Sequence, residues 1–207
     1  MDPLWLFALL SLGIMVVPGM DMAFVLSSAL VDGRRAGFVA VGGMVAAAAV
    51  HVAMGALGIG VLLRVAPAAF NALLAAGALY VGWIGWSLLR SKIALTASEG
   101  GRARGLDRIF GQAALTCLLN PKAYLFTLAV FPQVLRPERG SMLGQAVAMW
   151  AIVASAQLAV YGAVAVGAAS VRDTLAERPE AQWKLVRAVG MLLLAVAAWT
   201  LVHAWRG

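Results

Sequence analysis

Six apolar runs, separated by short polar segments, account for most of the chain. Each has about the length needed to cross a membrane, because a helix needs roughly 20 apolar residues to span about 30 Å of hydrocarbon. The runs cover residues 3–31, 36–63, 65–89, 109–135, 140–171 and 188–205. This pattern predicts an all-α membrane protein with six transmembrane helices.

Two of these runs contain a helix-breaking residue beside a single charge. The first is interrupted at Pro18-Gly19-Met20-Asp21 and the fourth at Leu119-Asn120-Pro121-Lys122. Proline removes a backbone donor and breaks a helix, and asparagine can cap the helix that begins after it. We therefore expect the first and fourth helices to be broken, with Pro18, Gly19 and Pro121 forming the breaks and acting in gating.

The chain divides into two halves at residues 90–108, a polar segment rich in glycine, serine and charge. Three spans on each side give the halves opposite orientations, as in transporters built from inverted repeats. A shift of 103 residues also superposes Pro18 on Pro121 and Gly37 on Gly140. We therefore predict a single membrane domain made of two inverted three-helix repeats. The repeats are residues 1–89 and 109–207, joined by a cytoplasmic linker loop at 90–108.

Composition supports the membrane assignment and sets the orientation. Charged residues make up 12% of the chain and hydrophobic ones 63%, whereas an average soluble domain has roughly 25% charged residues. The net charge of +7 does not indicate nucleic acid, because no basic segment is interleaved with aromatic residues. Eleven Lys and Arg residues lie in the odd-numbered gaps between runs and four in the others. Since basic residues are enriched in cytoplasmic loops, both termini should lie outside.

No pattern in the chain indicates an enzyme. Cys117 is the only cysteine, which excludes an internal disulfide and gives no metal-ligand spacing. The sequence has no nucleophile–base arrangement and no phosphate-binding glycine loop after a strand. We predict no catalytic residues, no cofactor and no metal site. The start, Met1-Asp2-Pro3, lacks the basic region of a signal peptide, so a cleaved leader is not expected.

Lys122 and Asp21 are the leading candidates for a functional site, since a charge inside an apolar run is functional by default. Lys122 can hold a substrate carboxylate or pair with an acidic residue during transport; alternatively, it extends to the membrane surface. Asp21 can bind a substrate ammonium, carry the coupling proton or neutralise Lys122; alternatively, it caps a helix beginning at Met22. A zwitterionic amino acid needs one cationic and one anionic partner, and these two residues supply them.

Five polar residues are further candidates. The amide of Asn120 can bind substrate or cap the restarted helix. His51 can relay protons, although a single helical histidine more often forms a structural hydrogen bond. Gln112, Gln157 and Tyr161 either line a cavity or bond across helices.

Small residues recur at every fourth position of the fifth run. Such a ridge lets another helix approach closely, because lipid provides no hydrophobic driving force for association. The partner helix belongs either to the same chain or to another copy. The ridge consists of Ala151, Ser155, Ala159, Ala163 and Gly167.

Several motifs, in order along nearly the whole chain, resemble one known family. They are Pro18-Gly19-Met20-Asp21, Gly33-Arg34-Arg35-Ala36-Gly37, Gly82-Trp83-Ile84-Gly85-Trp86, Leu119-Asn120-Pro121-Lys122-Ala123 and Phe131-Pro132-Gln133. Together they resemble the LysE/RhtB family of small amino-acid exporters. That family usually has Pro-Gly-Pro where this chain has Pro18-Gly19-Met20. The resemblance implies six helices, a homodimer and export driven by the proton-motive force.

We therefore expect a secondary transporter that exports an amino acid or a close analogue across a bacterial cytoplasmic membrane, by proton antiport. Its partners would be the small-molecule substrate, the lipid bilayer and a second copy of the chain. One alternative is an exporter of another small solute or of a metal cation, although one intramembrane carboxylate without a His or Cys cluster suits a metal poorly. Another is a membrane scaffold, which would leave the two breaks unexplained.

Overall fold

The computed structural model describes residues 3–57, 67–90, 104–136, 138, 140–174 and 178–206. Regular structure in these ranges is helical and contains no strand, which confirms the all-α class. The ends of the second and third predicted runs that meet at 58–66, and residues 91–103 of the linker, lie outside the described residues. The helices are α1 Pro3–Val16, α2 Met20–Asp32, α3 Arg34–Ala56, α4 Pro67–Arg90, α5 Leu106–Leu118, α6 Pro121–Val134, α7 Met142–Thr174 and α8 Pro179–Arg206.

Both interruptions predicted at prolines are present. Helices α1 and α2 meet at residues 17–19 with a bend of 58°. Helix α5 ends just before Asn120, whose Oδ1 accepts a hydrogen bond from the backbone N–H of Lys122 at 3.0 Å. Pro121 occupies the first position of α6, where its missing N–H leaves no helical bond unmade. The asparagine therefore caps the restarted helix, as the sequence indicates.

Helix length and hydropathy identify candidates for some of the predicted spans. Helices α3 and α7, and residues Trp183–Val202 of α8, are long and apolar enough to cross a membrane. The bent pair α1–α2 makes a fourth span if the two helices count as one. The remaining two runs correspond to α4 and to the pair α5–α6, and their assignment as spans stays a prediction.

Residues 172–187, the polar segment between the fifth and sixth predicted runs, are helical over their second half, so the prediction that the last helix begins near residue 188 is wrong. Helix α8 begins at Pro179, so positions 179–187 are helical. Lys184 and Arg187 lie on an exposed face, whereas Val186 and Val189 are buried. A helix that is polar on one side can continue past the apolar run, and an average of hydropathy along the chain does not detect this.

Helix α3 lies at the centre of the bundle and packs against α2, α5, α6 and α7. Helices α4 and α8 form an extensive pair, and α8 packs this pair against α2. A Cβ atom added at Gly85 would lie 2.8 Å from the carbonyl oxygen of Gly190, and one at Gly190 would lie 2.9 Å from that of Gly85. Such close approach of two backbones is how helices associate where hydrophobic drive is absent.

Candidate functional site

The two helix breaks meet at a cavity of about 40 Å³ inside the bundle. This volume is far below the roughly 300 Å³ at which ligand pockets begin, so the cavity must enlarge to admit a solute such as an amino acid. One part of the wall is polar or titratable and the rest is apolar. The polar part consists of Asp21, His51, Cys117, Lys122, Thr127 and Gln157, and the apolar part of Ile14, Met15, Ala48, Val52, Ala123, Phe126, Phe131 and Val153.

Asp21 lies in the first turn of α2 and is 3% exposed. The position before this helix is occupied by Gly19, with no side-chain cap. The alternative that Asp21 merely caps a helix starting at Met22 is therefore wrong, because α2 already begins at Met20. Its carboxylate interacts electrostatically with Lys122, while Oδ1 forms no hydrogen bond within the described part of the chain.

Lys122 lies in the first turn of α6 and reaches across to the other break. Its ammonium donates a hydrogen bond to the carbonyl oxygen of Val17 at 2.9 Å. A Cβ atom at Gly19 would lie 3.3 Å from the same nitrogen, so the glycine leaves room for the lysine. The ammonium is thus anchored on a neutral carbonyl, and no direct ion pair joins it to Asp21.

Asn120 is 2% exposed and interacts with Asp21, although it is not among the residues that line the cavity. Its Oδ1 caps α6, and its amide is close enough to Asp21 to interact with it. Even so, Nδ2 forms no hydrogen bond of ordinary geometry among the described residues. Buried polar groups are nearly always hydrogen-bonded, so this amide needs an acceptor, which either the neighbouring Asp21 carboxylate or a bound solute can supply.

His51 connects α3 to the end of α5. Its Nε2 donates a hydrogen bond to the carbonyl oxygen of Cys117 at 3.1 Å, and Tyr124 packs edge-on against its ring. The imidazole lines the cavity and is held by one nitrogen, while the other nitrogen, Nδ1, has no hydrogen-bond partner in the described ranges.

Of the remaining three candidates, two lie at or next to the cavity and one lies elsewhere. Gln157 lines the cavity, and Tyr161 is fully buried one turn further along α7. Gln157 Oε1 and the Tyr161 hydroxyl make no hydrogen bond within the described ranges. Gln112 does not line the cavity; its Oε1 accepts a hydrogen bond from Arg104 at 3.4 Å.

No group of three or more His, Cys, Asp or Glu side chains placed to hold a metal ion occurs among the described residues. The donors at the cavity are instead one carboxylate, one ammonium, one imidazole, one thiol, one hydroxyl and one amide. Together they can bind a small polar solute that carries both charges.

The sequence profile of the family described as LysE type translocator matches residues 12–203. The chain belongs to this family. The resemblance seen in the motifs is thereby confirmed. Members of the family are transporters, which also confirms that this translocator is not an enzyme.

Named relatives of this LysE type translocator are efflux proteins. The homoserine/homoserine lactone efflux protein of Salmonella typhimurium is 26% identical to it over 94% of both chains. The leucine efflux protein of Enterobacter sp. is 30% identical over 62% of each chain. An uncharacterized membrane protein of Vibrio cholerae is 31% identical over 65% of this chain and 66% of its own. No solved structure matches the translocator.

Sequence reasoning missed the uncharged part of the translocator's site. Cys117 and Thr127 line the cavity, as do Phe126 and Phe131. Both phenylalanines pack on Phe7, with ring centroids 5.6 and 5.7 Å apart. The signals for them were proximity to the Asn-Pro-Lys break and, for Phe131, the Phe-Pro-Gln motif. Helices that are apolar all round do not indicate which side faces a cavity.

Proposed function

We propose that the chain is a secondary transporter that exports an amino acid across the bacterial cytoplasmic membrane by proton antiport. The observation that carries the proposal is the cavity between the two helix breaks, which holds one carboxylate and one ammonium. An intramembrane pair of this kind is expensive to bury and is kept for function. The family and its named relatives support the direction of transport, outward from the cell.

Lys122 would bind the carboxylate of the substrate. Its present partner is the neutral carbonyl of Val17, and a charged acceptor forms the stronger hydrogen bond with an ammonium. The substrate carboxylate can thus replace the carbonyl without breaking an ion pair. The N–H groups at the start of α6 would add favourable dipole interactions.

Asp21 would either bind the ammonium group of the substrate or carry the coupling proton. Both tasks need a carboxylate at the cavity with an oxygen that has no partner within the protein. Asp21 lines the cavity, and its Oδ1 forms no hydrogen bond within the described ranges. The amide of Asn120 and the unpartnered nitrogen of His51 would complete the polar wall.

The lining favours substrates whose side chains are neutral. Asp21 is the only carboxylate on the described wall, so the second cation of lysine or arginine would find no partner there. Phe126 and Phe131 form an apolar surface suited to an aliphatic side chain. Two similar proteins are named for leucine and homoserine efflux, and both substrates are neutral in their side chains.

The inverted repeat is supported by the pattern of helix contacts. If the two halves are repeats, α1 corresponds to α5, α2 to α6, α3 to α7 and α4 to α8. Under this correspondence, the contact between α1 and α7 matches the contact between α5 and α3. The same correspondence converts α2–α7 into α6–α3 and α2–α5 into α6–α1, whereas α2–α3 has no counterpart among the larger contacts of the described residues. Gly33 and Gly140, with φ of 94° and 108°, both precede the third helix of their half. We keep residues 1–89 and 109–207 as the two repeats.

A homodimer is supported by the ridge of small residues on α7. All five of its members, from Ala151 to Gly167, are exposed on the surface of the protomer. The same face therefore does not serve packing within the chain, and a second copy could approach it closely. We propose this ridge as the contact between two copies, with both termini outside the cell.

The test is transport into everted membrane vesicles supplied with labelled neutral, acidic and basic amino acids. A neutral amino acid should accumulate only when the vesicle interior is acidified, and Lys122→Ala should abolish the accumulation. Lys184→Ala, at an exposed position of α8, is the matched control and should transport normally.

Failure of every amino acid to accumulate, with folded protein verified in the vesicles, would contradict the proposal. Accumulation that does not depend on the pH gradient would contradict proton antiport but not amino-acid export. Labelled divalent cations in the same vesicles test the metal alternative.

A further inference from the structure

Arg104, two residues before α5, binds the carboxylate at the end of α2. Its Nε and Nη2 donate hydrogen bonds to Oδ2 of Asp32 at 2.9 and 2.5 Å. Its backbone N–H also donates to Oδ1 at 3.3 Å. The side chain of Asp32 is only 6% exposed, so this is an ion pair protected from solvent and not a loose surface contact.

The guanidinium makes further contacts with the same face of α2 and with α5. Nη2 donates to Ser28 Oγ at 3.4 Å, and the group lies over the ring of Phe24, 5.8 Å from its centroid. Phe24, Ser28 and Asp32 are spaced by four residues and therefore share one side of the helix. Nη1 donates to Gln112 in α5 at 3.4 Å. We call these five residues the latch.

The Arg104–Asp32 ion pair of the latch and the candidate site lie at opposite ends of the same two helices. Asp21 precedes Phe24 by three residues, so it belongs to the same side of α2, about 16 Å from Asp32 along the axis. Cys117 is at the far end of α5 and interacts with Asp21. Helices α2 and α5 are thus joined at one end by the latch and at the other by the candidate site.

We infer that the latch is the gate that closes the cytoplasmic end of the bundle and must open before the cavity communicates with the cytoplasm. It joins helices from the two halves, and transporters of this architecture move one half against the other around a central site. The same end carries the exposed basic residues Arg34, Arg35 and Arg108, the distribution expected of a cytoplasmic surface. The gating role rests on the proposed transport function, but its test does not measure transport.

Cys117 supplies the readout, because it is the only cysteine, it is buried and it lines the cavity. The intact protein is treated with a membrane-impermeant charged maleimide in everted vesicles, which present the cytoplasmic face, and in right-side-out vesicles. Arg104→Gln should raise the rate of Cys117 modification roughly tenfold or more in everted vesicles only, since hydrogen bonds to charged groups hold the closed state.

Three further variants make the test specific. Arg108→Gln removes the same charge from the same end of α5 and should label like the unmodified chain. The exchange of charges in Asp32→Arg with Arg104→Asp should restore slow labelling. Cys117→Ser should abolish labelling in every background.

Equal acceleration of Cys117 labelling from both faces of the membrane would indicate that the whole protein has loosened, and it would contradict the proposed gate. Unchanged labelling, or acceleration only in right-side-out vesicles, would overturn it as well. A protein that transports no amino acid and still shows sided labelling would contradict the proposed function while leaving the gate intact.

Discussion

The ammonium of Lys122 rests on the carbonyl oxygen of Val17, 2.9 Å away, although the two residues are 105 positions apart in the chain. The contact joins the second helix break to the first. Because its acceptor is neutral, the lysine is positioned without being neutralised, and it remains available to an anion. The two breaks therefore form one site.

Gly19→Val should weaken substrate binding without unfolding the protein. A Cβ at this position already lies 3.3 Å from the lysine nitrogen, so the larger side chain must displace Lys122. The backbone itself is extended, with φ of −169°, which any residue adopts. Loss of one charged hydrogen bond, about 1.5 kcal/mol, predicts an apparent KM raised about tenfold. Gly13→Val is the control, because a Cβ there meets no atom within 4 Å. Equal KM values for the two variants would contradict the proposed position of Lys122.

Asp21→Asn should abolish accumulation driven by a pH gradient, since the amide keeps the shape of the side chain but can neither take up a proton nor attract an ammonium. Exchange of labelled for unlabelled substrate, without a gradient, separates the two tasks. If Asp21 only couples protons, exchange should persist; if it binds the substrate, exchange should fall with accumulation. Normal accumulation by Asp21→Asn would show that Asp21 neither binds the substrate nor carries the coupling proton.

His51→Gln should retain most transport, whereas His51→Leu should destabilise the protein by about 0.5–1.5 kcal/mol, the usual net worth of one hydrogen bond. The amide nitrogen of glutamine can replace Nε2 as donor to the carbonyl of Cys117, whereas leucine leaves this carbonyl with the N–H of Asn120 as its remaining donor. Thermal unfolding of purified protein in detergent measures the stability of both variants. A stable His51→Gln that no longer transports would instead assign the second ring nitrogen to proton transfer.

Gly85→Ala should lower the melting temperature, while Gly82→Ala on the same helix should not. The new methyl at position 85 would lie 2.8 Å from the carbonyl of Gly190, but at position 82 its nearest neighbour is Ala197 at an ordinary 3.5 Å. Overpacking of this kind costs about 1–3 kcal/mol. Identical melting curves for the two variants would show that α4 and α8 separate easily.

The helix breaks could be predicted because their chemistry is local. Pro18 and Pro121 break their helices whatever surrounds them, and Asn120 forms its capping bond to Lys122, two residues along the chain. Length and hydropathy likewise placed most helices within a few residues. Local rules failed at Pro179, where a helix starts within charged sequence and the exposed face accommodates the charge.

The cavity wall and the latch could not be predicted, because both depend on which side of a helix faces its neighbours. Phe131 and Cys117 lie in runs where nearly every residue is apolar, so sequence does not distinguish the cavity side from the lipid side. Arg104 and Asp32 are 72 positions apart, and each taken alone resembles a loop charge. The spacing of Phe24, Ser28 and Asp32 indicates that they share one side of α2. It does not indicate that Arg104 faces that side.

The crossing of Gly85 and Gly190 bears on how the two proposed halves could move. The backbones approach so closely here that a Cβ at either glycine would lie under 3 Å from the carbonyl oxygen of the other. One of these helices comes from each proposed half, so the contact would hold the halves together at this pair. We expect the motion that opens the cavity to be smaller at α4 and α8 than at helices farther from them.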